Sequence, residues 1–312
     1  MDEIHIPNDA TYAPFSLTDV IATAPLASRV LLGATLPGRV LSVAALGLYA
    51  SSAARDWIKR ADMRWVDFQR EFGADIKTLE PMPDDERRSE VRRIATRLER
   101  DFTPERIPRA QLARDVNRQL TEYIARLTGQ RVHTSSELRN FTLASLVFPF
   151  AMGVCDMVSG DVALFKDTGV LEPHVICHEF VHRKGYWKEL HAQVLAYLTL
   201  IASGNAVMIQ SALAERLHRQ LKVLAGDDHG AYHDLVDGLG MRASLADELH
   251  ALRPPPGAYE GAVSVVMKRV YDERLKLTGQ NGLSDYDLGF TNFLWTFSRS
   301  DSARQDRAQA SV

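Results

Sequence analysis

Residues Cys177 to Leu198 read CHEFVHRKGYWKELHAQVLAYL, and the fold turns on what this stretch is. It opens with His178 and His182 in a His-Glu-x-x-His core. On an α-helix, residues four apart share a face, so the two imidazoles are presented to one point, as tetrahedral zinc requires. Glu179, beside the first of them, is placed to take a proton from a metal-activated water and later return it to a leaving amine. Gly185 allows the chain to turn, and a second helical run then offers two further donors, Glu189 and His191. They lie about 200° apart around a regular helix, so only one of them can face the metal. Gln193, one turn after Glu189, is a candidate to orient a ligand.

The surroundings agree with a helix at this position. Pro173 suits a first helical position, and the run from His174 continues to Gly185. Upstream, LVFPFAMGVC and DVALF are short apolar, partly β-branched runs that predict one or two strands between Thr142 and Thr168. Downstream, KELHAQVLAYLTLIAS, SALAERLHRQLKVLAG and GAVSVVMKRVYDERLKLTG read as three helices, with RPPPGAY as a stiff linker before the last. His174 is read as flanking the site or closing the helix start. His229 and His233 share ligand spacing, but the acids around them are read as caps and loop residues.

The first half reads as nearly all helical. Asp56 to Phe72 places Trp57, Met63, Trp65 and Phe68 on one broad face. SEVRRIATRLERDF aligns Val91, Ile94, Leu98 and Phe102, and AQLARDVNRQLTEYIARLTG aligns Leu112, Val116, Leu120, Ile124 and Leu127 before a stop at Gly129. Alternating acids and bases mark the other faces of these helices as solvated.

Bulk properties narrow the function. With 312 residues, 46% of them hydrophobic, the chain can bury a substantial core. A formal charge of -3 and a pI near 6.4 give no basic field for a phosphate backbone, which argues against a nucleic-acid partner. Two cysteines, Cys155 and Cys177, are read as buried thiols of a reducing compartment. The acidic start MDEIHIPNDATYAPFS lacks the features of a secretory leader. The apolar run VLLGATLPGRVLSVAALGLYASSAAR is interrupted at Pro37, Gly38 and Arg39 and falls short of a simple span. Residues 20–54 therefore read as a helical hairpin, with a membrane-surface contact as the alternative. The expectation is a cytoplasmic protein, peripheral to the inner membrane if that contact is made.

The segment from FPFAMGVCDMVSGDVALF through the histidine stretch, with VYDERLKLTGQNGLSDYDLG after it, resembles an uncharacterised group of bacterial zincin-like proteins catalogued as a domain of unknown function. The likeness runs from about Phe148 to Tyr286. It implies a gluzincin-type metallopeptidase, with Zn2+ held by His178, His182 and Glu189, the last in a Glu-x-x-Ala pattern, and with Glu179 as base. It implies a peptide or protein substrate paired along a strand, for which Asp161 to Phe165 is the candidate, and Tyr286 as a phenol that steadies the oxyanion. Members carry an acid where this chain has His191, which keeps that residue open as the third ligand. They also carry N-terminal membrane helices where this chain is shorter and broken by Arg29 and Arg39. The expected architecture is α+β and mostly helical: a helical region over 1–130, a zincin-like domain over 131–300 and a disordered tail over 301–312.

Overall fold

The computed structural model describes residues 1–8, 35–140, 151–156, 159–253 and 262–300. The tail over 301–312, the linker after Arg253, the apolar residues before 35 and the first part of the expected strand region, 141–150, lie outside the described residues. What is described is mostly helical with a few short strands. In chain order it runs β1 (Asp2–His5), α1 (Leu36–Arg60), α2 (Phe68–Phe72), α3 (Asp84–Arg100), α4 (Arg109–Thr128), β2 (Gln130–His133), β3 (Arg139–Asn140), β4 (Gly153–Cys155) and β5 (Val162–Leu164). After a 3-10 turn at Gly169–Leu171 come α5 (Glu172–Arg183), α6 (Glu189–Ile201), α7 (Ala206–Ala225), α8 (His229–Asp237), α9 (Ala243–Ala251), α10 (Ala262–Leu277) and α11 (Phe290–Arg299), with a π-helical turn at Asp285–Gly289 before the last.

One apolar core draws on both sides of the boundary expected near residue 130. Phe68 and Phe72 of α2 and Leu112, Val116, Leu120 and Ile124 of α4 pack with Ile176 and Phe180 of α5, Leu190 and Leu195 of α6, and Phe290 and Phe293 of α11. A second cluster seats Val91, Ile94 and Leu98 of α3 on Leu213, Leu217 and Leu221 of α7, with Tyr232 and Leu249 closing it from α8 and α9. Both α3 and α4 bury the stripe their spacing predicts, each large side chain removed from water contributing about 1.5–3 kcal/mol before entropy is counted.

The helix expected from Asp56 to Phe72 is broken. Helix α1 stops at Arg60 and α2 starts at Phe68, capped by Asp67, which accepts from Arg70 N at 3.1 Å. Tertiary hydrogen bonds replace helical ones in between: Arg64 N donates to Gln130 Oε1 at 2.8 Å and Val66 N to the Tyr186 hydroxyl at 3.3 Å. As a result Met63 and Phe68 are buried, while Trp57 and Trp65 are 46% and 49% exposed. Leu36, Val40 and Val43 of α1 are also exposed, and no described helix is long and apolar enough to cross a membrane.

Two small sheets frame the helices. Strand β1 pairs in parallel with β2, an element absent from the all-helical reading of the first half, and β5 lies between β3 and β4. With both sides of β5 taken, Asp161 to Phe165 has no edge to offer an extended ligand. That expectation is corrected: among the described residues the strand with an unpaired side next to α5 is β4.

Helix α5 runs through the middle, buried from Pro173 to Arg183. Its charged exit is buried too. Arg183 donates to the carbonyls of Gly160, Ser135 and Glu137 at 2.7, 2.8 and 2.9 Å. The Lys184 ammonium donates to Thr121 Oγ1, Val132 O and Thr134 Oγ1 at 2.9, 2.6 and 3.2 Å. These bonds make the burial of two cations tolerable and fix α5 against α4, β2 and the loop before β5.

Candidate metal centre

Helices α5 and α6 are joined by a tight link at Gly185, which has φ +104°; a Cβ there would lie 3.0 Å from the Trp65 ring. Glycine meets both demands, and the turn brings the start of α6 back over the His178–His182 face. His178 Nε2, His182 Nε2 and Glu189 Oε2 then form a nearly equilateral triangle with edges of 3.1, 3.2 and 3.2 Å. His182 Nδ1–H donates to Tyr186 O at 2.7 Å, which turns Nε2 toward the other two donors. Among the described residues no fourth His, Cys, Asp or Glu atom joins the three.

The other sequence candidates separate cleanly. His191 stacks on Phe68, ring centroids 3.7 Å apart, and its Nε2 lies 2.7 Å from Asp75 Oδ1, so it points away from the triangle. Gln193 reaches neither imidazole of the triangle. Its Oε1 lies 2.6 Å from His174 Nε2 and its Nε2 donates to Glu215 at 3.0 Å, which makes His174 part of a buried network instead of the donor set. That network continues through Arg219 to Asp287, and the Arg219 guanidinium sits 5.8 Å from the centre of the Tyr286 ring. The acids around His229 act as expected, Asp228 capping α8 through Ala231 N at 3.0 Å.

Two partners of Glu189 have no signature in the sequence. Tyr271 of α10 donates to Glu189 Oε1 at 2.6 Å, and Gln280 Oε1 accepts from Glu189 N at 2.7 Å. Lys188, at the start of α6, offers no capping side chain, so Gln280 supplies the acceptor that the helix start needs. Gly279 and Gly282, both at positive φ, turn the chain back after α10 and carry Gln280 and Tyr286 to the site. Tyr286 lies with its ring 6.0 Å from that of His178 and its hydroxyl 3.3 Å from that of Tyr271.

Glu179 lies against β4. Asp156 N donates to Asp161 O and Phe165 N to Met152 O, so in the alternating antiparallel pattern the backbone groups of Gly153 and Cys155 face away from β5. The outward Cys155 amide hydrogen-bonds Glu179. A Cβ at Gly153 would come within 3.2 Å of Glu179 Cγ, so the bare backbone is what lets strand and carboxylate meet. On the other flank, Trp187 lies 6.2 Å from the His182 ring and nearly parallel to it, Trp57 stacks on Trp187 at 6.2 Å, and Arg60 lies over both indoles.

Burial and the charge of Glu189 act together on the protonation of the site. Burial pushes the Glu179 carboxyl up to about 7, against the pull of His182 and with the push of Glu189. It lowers His178 to about 4 despite its hydrogen bond to Glu189. For His182 burial acts downward too, but the Glu189 charge and hydrogen bond outweigh it and the pKa rises to about 9. The carboxyl of Glu189 is held well below its ordinary value, burial notwithstanding, by the two imidazoles. Burial and the Glu189 charge keep the Tyr286 phenol protonated, and so a donor.

This is the segment that a known family covers. Residues 166–294 match the family described as "Protein of unknown function (DUF3810)". The DUF3810 match takes in α5, α6 and the Tyr271–Tyr286 return, and therefore each residue of the triangle and its partners. No curated protein and no solved structure matches the chain.

Proposed function

We propose that the chain is a zinc-dependent peptidase of the zincin type, with His178, His182 and Glu189 as metal ligands. The observation that carries this reading is the triangle of donor atoms. Three ligands of a tetrahedral ion at about 2.0–2.1 Å stand about 3.3 Å apart, and the edges here are 3.1–3.2 Å. Two imidazoles and a carboxylate suit zinc, and three protein donors leave a coordination position for water, as catalytic sites do. When bound, zinc supplies a lowered pKa for that water and polarises a carbonyl as a Lewis acid.

The remaining work falls to the chain. Glu179, beside the first ligand in the sequence, accepts a proton at its carboxylate and releases it to the leaving amine. The Tyr286 phenol, whose ring lies 6.0 Å from that of His178, is the group we assign to the tetrahedral oxyanion, for which it must exchange its hydrogen bond to Glu189. Among the described residues the side of β4 away from β5 carries no strand, and there the backbone groups of Gly153 and the carbonyl of Cys155 can bond an extended backbone, which favours a peptide over a small ester.

The test is metal content by elemental analysis together with hydrolysis of a mixed peptide library, on wild type and on Glu179→Gln. Retained zinc with turnover lowered by roughly 10²–10⁴-fold in the variant is the expected result. A wild-type chain that takes up no metal when zinc is supplied overturns the reading.

A further inference from the structure

A second set of donors meets on the sheet formed by β1 and β2. The parallel register sets His5 beside His133 and Glu3 beside Arg131, and side chains two residues apart on a strand share a face. The two imidazoles stack with centroids 4.5 Å apart. Glu3 Oε2 lies 4.0 Å from His5 Nε2 and 3.7 Å from His133 Nε2, and one donor atom from each of the three falls within 4.8 Å of the others.

His133 Nε2 is shielded from solvent and has no hydrogen-bond partner, an arrangement that costs about 1–3 kcal/mol if nothing relieves it. Arg131 is the rival for Glu3, but it is held by Glu122 through two bonds of 2.9 and 3.2 Å and reaches Glu3 only at 3.5 Å.

We propose that Glu3, His5 and His133 bind a divalent transition-metal ion of the zinc class and that this ion pins β1 to β2. Two imidazoles and one carboxylate select zinc, nickel or copper over calcium or magnesium. The donor atoms must close to about 3.3 Å, a movement open to His5, whose side chain is 73% exposed. The ion occupies the orphaned nitrogen of His133, and water completes its coordination. Because the ion binds the docked strand and not the released one, it stabilises β1 by mass action.

The experiment titrates zinc into the full chain, without a polyhistidine tag and stripped of metal by a chelator, with calorimetry and elemental analysis as readouts. Amide exchange at Ile6, whose N–H bonds His133 O at 2.9 Å, is followed in parallel. Wild type is expected to bind about two ions, His5→Ala to lose one and His182→Ala to lose the other. At free zinc about 100 times Kd, exchange at Ile6 slows about a hundredfold in wild type and in His182→Ala, and is unchanged in His5→Ala. A single ion lost in His5→Ala and kept in His182→Ala also supports the exposed site while removing the buried one. Equal stoichiometry in wild type and His5→Ala, with no zinc effect at Ile6, overturns the proposal and leaves the buried site untouched.

Discussion

Tyr271 donates its phenol proton to Oε1 of Glu189 across 2.6 Å, so the other oxygen of that carboxylate is the one that stands 3.2 Å from both imidazoles. Partners of this kind fix a ligand's rotamer before any ion arrives. Tyr271→Phe is expected to weaken zinc binding roughly 10–100-fold with the fold intact, as read by competition against a chromophoric chelator. Unchanged affinity would mean that the start of α6, tied to Gln280, orients Glu189 alone.

The stacked indoles of Trp57 and Trp187 form an apolar wall beside His182. If the chain cleaves peptides, Trp57→Ala raises KM for substrates with a large apolar side chain by about twofold to tenfold, the worth of one aromatic contact, and leaves kcat alone. Steady-state kinetics on paired aromatic and alanine peptides checks this, and an equal KM for both would separate the wall from the substrate.

Arg183 holds three backbone carbonyls from two loops, a fork that an ammonium cannot reproduce. Arg183→Lys leaves at least one of those carbonyls unsatisfied in the interior. A loss of about 1–3 kcal/mol is expected from urea unfolding, and a midpoint equal to wild type would show that water replaces the fork.

Acid should find His218. Burial, and then the Arg219 charge, lower its pKa to about 3, and the imidazole stays neutral beside the Tyr232 hydroxyl at 2.7 Å. The unfolded chain takes up the proton near pH 6.5, so it binds more protons than the folded chain between pH 6.5 and about 3, and stability falls as pH falls through that window. Wild type should lose a few kcal/mol more than His218→Leu between pH 7 and 4. Equal losses would mean that His218 gains a proton without unfolding.

The convergence of His178 and His182 and the helices α3 and α4 were legible because their signals are local: a spacing of four, an apolar stripe, a proline at the start of α5. What escaped depends on contacts far along the chain. Strand β1 is four residues with no burial alternation, and only pairing with β2 makes it a strand. The break after Arg60 follows from bonds to Gln130 and Tyr186, and the buried Arg183 and Lys184 look like surface charge until their carbonyl partners are counted. Tyr271 sits on α10 among ordinary helical residues, and nothing near it in the sequence points to Glu189. The choice of β4 over β5 as the open strand required the sheet order itself.

The distances along the chain also imply an order of assembly. His178 and Glu189 are 11 residues apart, whereas Tyr271 and Gln280 come to Glu189 from 82 and 91 residues away. Closing the longer loops costs about 2 kcal/mol more entropy than closing the short one. The donors can therefore gather as soon as α5 and α6 fold against each other, and the two residues that aim Glu189 arrive later and detach first. A partly unfolded chain with α10 released would keep its three donors together and lose only their aim.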